Sequence, residues 1–237
     1  EGKKKERWRD LNSNSTVFLS FHFNIMHFQP TRDNFTLIKD LDMTIVKCME
    51  KTDPDQAFWI GDFNQVRKSV ETWEENLSDV KIHYAVKCCD EPQLLKFLAD
   101  RGCGFDCASK TEIEKMINIG VDGDRIVFSH PIKNMEAIKY AKEVGVQRLV
   151  FDTEHELRKI IRYYPDAEVY LRIKPRMTNA KVQLSDKYGA EHDEIPSLLS
   201  LCAEFGANFI GFSFHVGSFC DDITTFRDAL EYVNELK

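Results

Sequence analysis

From about residue 56 onward, short apolar runs alternate with stretches of helical spacing. The runs are 82–86, 103–107, 125–129, 148–151, 168–173 and 209–216. They are apolar on both sides of the pleat, as buried parallel strands are. Ahead of the first run, Phe63, Val66, Val70, Trp73 and Leu77 form a helical stripe opened by Asp62, with Gln65 three residues later. Ser109 with Glu112 and Thr153 with Glu156 read as capping boxes directly after a strand. Asn134 caps the stripe Met135, Ile138, Ala141 and Val144, and Gly102, Gly120, Gly145 and Gly206 stand where helices end. A pitch of roughly 20–25 residues per strand and helix predicts βα units on a parallel sheet. The longest interval, 174–193, predicts a long functional loop.

No Gly-x-Gly-x-x-Gly follows the first run, which weighs against a dinucleotide-binding sheet. The better expectation is a (β/α)8 barrel of the TIM type, with its chemistry at the carboxyl ends of the strands. Six strands are countable, whereas a complete barrel takes about 250 residues. The reading is therefore a barrel cut after about six strands, with open edges on the first and sixth. Such a chain by itself is expected to be inactive.

Composition narrows the class. The chain has 237 residues, 43% hydrophobic and 30% charged, enough for a sizeable core. A net charge of −7 argues against nucleic acid as a partner. Seven cysteines, an odd number with no two Cys-x-x-Cys pairs, form neither a disulfide framework nor a metal site, and fit a reducing cytoplasm. The apolar stretch 17–28 follows a basic segment but is interrupted by His22, Asn24 and His27. It is too short for a membrane span and lacks a small-x-small cleavage site. The chain begins with Glu1, so residues 1–34 read as a leader of uncertain order and 35–237 as the incomplete barrel.

The predicted strand ends carry Lys87, Asp106, His130, Asp152, Arg172 and the run His215-Val216-Gly217-Ser218. A lysine closing an apolar strand is either a snorkelling side chain or an amine whose depressed pKa lets it attack an aldehyde. His215 is either a core histidine or a ligand contact, next to a turn able to hold phosphate. Asp106 and Arg172 read as an ion pair across neighbouring strands or as groups tuning a ligand between them. Taken together on one rim, these residues point to an anionic aldehyde cofactor.

The segments Tyr84-Ala85-Val86-Lys87-Cys88, Gly104-Phe105-Asp106-Cys107-Ala108-Ser109-Lys110-Thr111-Glu112-Ile113 and Ser213-Phe214-His215-Val216-Gly217-Ser218 resemble the eukaryotic ornithine decarboxylases. Phe151-Asp152, Leu171-Arg172-Ile173 and Lys187-Tyr188-Gly189 add to the likeness, which runs from about Phe35 to the end. The resemblance implies an alanine-racemase-like fold, a pyridoxal-phosphate barrel followed by a β-domain. It implies decarboxylation of a small basic amino acid, L-ornithine to putrescine, in polyamine biosynthesis. By the same resemblance Lys87 holds pyridoxal phosphate as an internal aldimine, His215 stacks on its ring and Ser218 binds its phosphate. Asp106 and Arg172 lie near the ring, with Lys87 and His215 the catalytic pair. Asp152 and Lys187 are implied to join ion pairs across a homodimer, and 135–158 corresponds to the region bound by antizyme.

The family's Gly-Gly-Gly phosphate loop and Glu-x-Gly-Arg strand are not found after Gly217, where no further glycine occurs. The C-terminal domain that reads the distal amine has no counterpart either. Two other readings share the fold: a non-catalytic regulator similar to the antizyme inhibitors, and a stand-alone pyridoxal-phosphate carrier barrel.

Overall fold

In a computed structural model, which describes residues 18–19, 62–176, 180–182 and 185–236, all six predicted runs contain strands. Numbered in chain order after a two-residue strand β1 (Phe18–Leu19), they are β2 (His83–Ala85), β3 (Gly104–Cys107), β4 (Ile126–Phe128), β5 (Arg148–Phe151), β6 (Glu168–Arg172) and β7 (Asn208–Phe214). Every pair is parallel, and the order across the sheet is β1-β7-β6-β5-β4-β3-β2. The sixth run was expected to have an open edge. Instead Ser213 and Phe214 pair there with Phe18 and Leu19. The rest of the 1–34 segment and Cys48 lie outside the described residues.

Residues 26–80 form a unit of their own, in which α1 (Phe63–Asn76) is described. Asp62 accepts the Asn64 N–H at 2.9 Å at its start, and the Trp73 indole donates to the Val80 carbonyl at 2.8 Å after its end. Within the unit that contains the sheet, the helices are α2 (Pro92–Asp100), α3 (Lys110–Asn118), α4 (Met135–Glu143), α5 (Glu154–Tyr163), α6 (Ile195–Glu204) and α7 (Thr224–Glu235). Side chains close the first turns of α3, α4 and α5, as the sequence predicts. Ser109 accepts from the Glu112 N–H at 3.2 Å, Asn134 from Ala137 at 2.7 Å and Thr153 from Glu156 at 3.3 Å. Glu112 completes its box on the Ala108 N–H at 2.6 Å. Glu156 does not turn back; its carboxylate is spent on Lys133, 2.8 Å away.

The pairing register decides which strand residues share a face. Val127, Val150 and Tyr170 pack as one buried cluster with Ile210 against it. Asp106 registers with Val127, and Ala85 with Asp106. Tyr170 registers with Gly211, and Arg172 with Ser213. Because side chains alternate along a strand, Asp106 and Arg172 project from the cluster's face, and Ser129, Asp152 and His215 continue the same alternation past their strands. The opposite face, with Phe105, Ile126, Phe128, Leu149, Phe151 and Leu171, is fully buried. The predicted 174–193 loop follows β6. It is stitched by bridges between Ile173 and Ala190 and between Val182 and Ser218.

Candidate active site

The site is built at the carboxyl ends of β2 to β7. β2 ends at Ala85, and the chain turns at once into a 3-10 segment, Val86–Cys88. The Tyr84 hydroxyl fixes this turn by donating to the Cys89 carbonyl at 3.2 Å. Lys87 is therefore carried out of the strand and stands exposed. Of the two readings of a lysine closing an apolar run, exposure fits the side chain that leaves the strand: the turn after Ala85 aims it away from the core. Lys87 makes no hydrogen bond or ion pair among the described residues. Its charge is felt by Glu112 and His130.

Asp106 is 3% exposed and accepts a hydrogen bond from the Ser129 hydroxyl. Arg172 does not pair with it across neighbouring strands, because β4 and β5 stand between β3 and β6. Both stand on one face of the sheet, two strands apart. Burial pulls the Arg172 guanidinium below its ordinary pKa, while Asp152, Asp106 and Tyr188 oppose that shift. The guanidinium lies over the Tyr188 ring, 5.4 Å from its centroid.

Asp152 is buried at 7% exposure and accepts the Gly189 N–H at 2.9 Å on Oδ2. The close approach requires glycine there: φ is +107° and an added Cβ would sit 2.9 Å from the Ile173 carbonyl carbon. Its Oδ1 is buried without a hydrogen-bond partner among the described residues. Lys187 is exposed. At the end of β7, His215 accepts the Gly217 N–H on Nδ1 at 2.8 Å. Ser218 exchanges backbone hydrogen bonds with Val182 at 2.9 and 3.3 Å, leaving its hydroxyl unpartnered among the described residues. Phe219, next in the chain, has φ +56°, a conformation found here in no other described non-glycine residue.

Sequence reasoning gave no role to three groups on this rim. Ser129 holds Asp106, and Tyr188 carries Arg172 on its ring face. Lys133 is wholly buried: its ammonium reaches Glu156 at 2.8 Å, the Val150 carbonyl at 2.5 Å and the His130 carbonyl at 3.1 Å. Burial brings its pKa down to about 8 against the pull of Glu156. Among the described residues no cluster of His, Cys, Asp and Glu suits a metal, and no helix is long and apolar enough to cross a membrane.

A primary amine and a hydroxyl beside a glycine turn, both unpartnered among the described residues, with a guanidinium held on the same face and a buried carboxylate, form a donor set suited to a phosphorylated aldehyde. Comparison with known proteins agrees. The family model "Pyridoxal-dependent decarboxylase, pyridoxal binding domain" matches residues 63–236. Ornithine decarboxylase of Neurospora crassa is 42% identical over 177 residues, 75% of this chain and 37% of that protein. Antizyme inhibitor 2 of Xenopus laevis is 39% identical over 82% of this chain and 42% of its own length. Among solved structures, the Paramecium bursaria Chlorella virus arginine decarboxylase superposes with TM-score 0.78 at 36% identity, covering 82% of this chain and 53% of that one. The chain thus spans about two fifths to half of the relatives it matches. Its strand order, its rim and its match over 63–236 agree: the chain belongs to the pyridoxal-dependent decarboxylases, through their pyridoxal-binding domain.

Proposed function

We propose that this chain supplies the cofactor-binding part of a decarboxylase acting on a small basic amino acid, L-ornithine first, with putrescine as product. The observation that carries the reading is Lys87, an exposed amine that no carboxylate among the described residues holds, on a rim with Asp106 and Arg172. Lys87 is the group that would bind pyridoxal phosphate covalently through its aldehyde carbon. Bound there, the cofactor supplies an electron sink for the pair left when CO2 departs. Ser218 and the Gly217 turn are suited to its phosphate, and His215, with Nδ1 tied to Gly217, is held to present its ring. Asp106 and Arg172 set the charge around it.

The assembly reading is a homodimer in the cytoplasm, with Asp152 and Lys187 pairing across the subunits. Its support is the buried Asp152 Oδ1, which lacks a partner among the described residues, since a buried carboxylate oxygen without one is costly. Antizyme binding through 135–158 belongs to the same reading. A regulator without catalysis is favoured by one finding, the likeness to an antizyme inhibitor.

The test is CO2 release from carboxyl-labelled ornithine, lysine and arginine by the protein at the length its gene encodes. Release from ornithine above the other two supports the proposal. A protein that binds antizyme but releases CO2 from none of the three is the regulator.

A further inference from the structure

His130 shares the rim with Lys87 and Arg172. Its Nδ1 accepts the Ile132 N–H at 3.0 Å. A neutral imidazole has one donor and one acceptor nitrogen, so this bond places the proton on Nε2. That N–H has no hydrogen-bond partner among the described residues.

The ring is held firmly for a group with a free donor. It meets Tyr188 edge-on, centroids 5.4 Å apart at 69°, and the same Tyr188 carries Arg172 on its face. Pro131, next in the chain, is buried. The His130 carbonyl accepts from Lys133, whose ammonium is locked to Glu156 and Val150 beneath the loop. The imidazole is half-buried, and the charges around it are Lys133, Lys87 and Arg172, opposed by Glu156. Burial first, and those three cations next, lower its pKa and so favour the neutral ring. A satisfied core histidine would have both nitrogens used; this one has a fixed, neutral N–H among cations, which is what an anionic oxygen needs for a hydrogen bond.

We propose that His130 is a binding residue of this site, donating its Nε2–H to an anionic oxygen of the cofactor or of the substrate carboxylate between Lys87 and Arg172. The inference rests on the cofactor reading above. It adds a residue to the site and assigns the buried Lys133–Glu156 pair the task of positioning it.

The experiment uses the protein at its encoded length and two variants. His130→Asn keeps an acceptor for the Ile132 N–H, as asparagine does in such turns, but deletes the distal donor. His130→Gln places an amide N–H near the Nε2 position. Pyridoxal phosphate is titrated by its visible absorbance, then L-ornithine is titrated against the loaded protein by the change in that absorbance. A hydrogen bond to a charged group predicts a loss of about tenfold to a hundredfold in His130→Asn, with His130→Gln within about threefold of wild type. A loss in the cofactor titration assigns the oxygen to the cofactor; a loss only in the ornithine titration assigns it to the substrate.

If His130→Asn matches wild type in both titrations, the inference is overturned while the cofactor reading stands. If wild type takes up no pyridoxal phosphate, both fall. Nitrogen-15 NMR of the wild-type protein gives a readout independent of any variant. The His130 proton is expected on Nε2, with a shift that moves when pyridoxal phosphate is added. A proton on Nδ1, or a resonance indifferent to the cofactor, overturns the inference.

Discussion

The two ends of the sheet carry similar charged residues and use them differently. At the amino ends, Arg125 donates to the Ala99 and Cys103 carbonyls at 2.8 and 2.6 Å. Arg148 pairs with Glu168 at 3.3 Å and donates to the Asp124 carbonyl at 3.1 Å. His83, opening β2, is forced by burial from 6.5 to about 4 and stays neutral. At the carboxyl ends, Lys87 has no partner, Asp152 has one bare oxygen and His130 one bare N–H, among the described residues. Lys133 shows that this end is not merely looser, since it is the most completely bonded lysine on it. Polar groups that the chain leaves unsatisfied at one end, while satisfying their equivalents at the other, mark where something else is bound.

The largest effect should come from breaking the clamp. Lys133→Met leaves the Glu156 carboxylate buried beside Lys159 alone, and should cost about 3–5 kcal/mol of stability in chemical unfolding. Lys133→Met with Glu156→Leu should recover most of it. A single-variant loss under about 1 kcal/mol would remove the clamp from the account.

Next comes acid. The unfolded imidazole of His83 takes its proton near pH 6.5 and the folded one near 4. Below 6.5 the unfolded chain binds more protons, so this contribution is full above about 6.5 and is lost as pH falls toward 4. The loss is on the order of 2–3 kcal/mol. His83→Gln should flatten that part of the stability profile relative to wild type, and an unchanged slope would contradict the assignment.

A smaller effect is expected beside Ser218. Phe219 is 56% exposed and left-handed at φ +56°. Phe219→Gly should raise stability by up to about 1 kcal/mol, the relief of a Cβ clash less the entropy of a freer unfolded chain. Smallest of all, Lys87→Ala should shift stability by less than about 0.5 kcal/mol, because no hydrogen bond or ion pair among the described residues is lost. A loss like that of Lys133 would show that the two lysines are used alike.

Much of this was legible in the sequence. The six apolar runs gave the strands, the capping residues Ser109, Asn134 and Thr153 gave the helix starts, and the strand ends put Asp106 and Arg172 on one rim. Five features were not legible, each for a physical reason. A strand of two residues, Phe18 and Leu19, is too short to show any period. The turn that exposes Lys87 leaves no signal in an unbroken apolar run. Which strands adjoin is a matter of order in space, so Asp106 and Arg172 read as neighbours when two strands separate them. Glu156 matched a capping box so well that its partner 23 residues earlier, Lys133, went unread. His130 stood among the predicted rim residues, yet its free N–H depends on a turn to Ile132 that spacing does not reveal.

The account turns on the contrast between an amine that is free and one that is bound. Borohydride reduction of the protein at its encoded length with pyridoxal phosphate, followed by peptide mapping, reads that contrast directly. The label is expected on Lys87, with Lys133 unmodified and the label lost in Lys87→Ala. A label on another lysine, or labelling undiminished in Lys87→Ala, would contradict it.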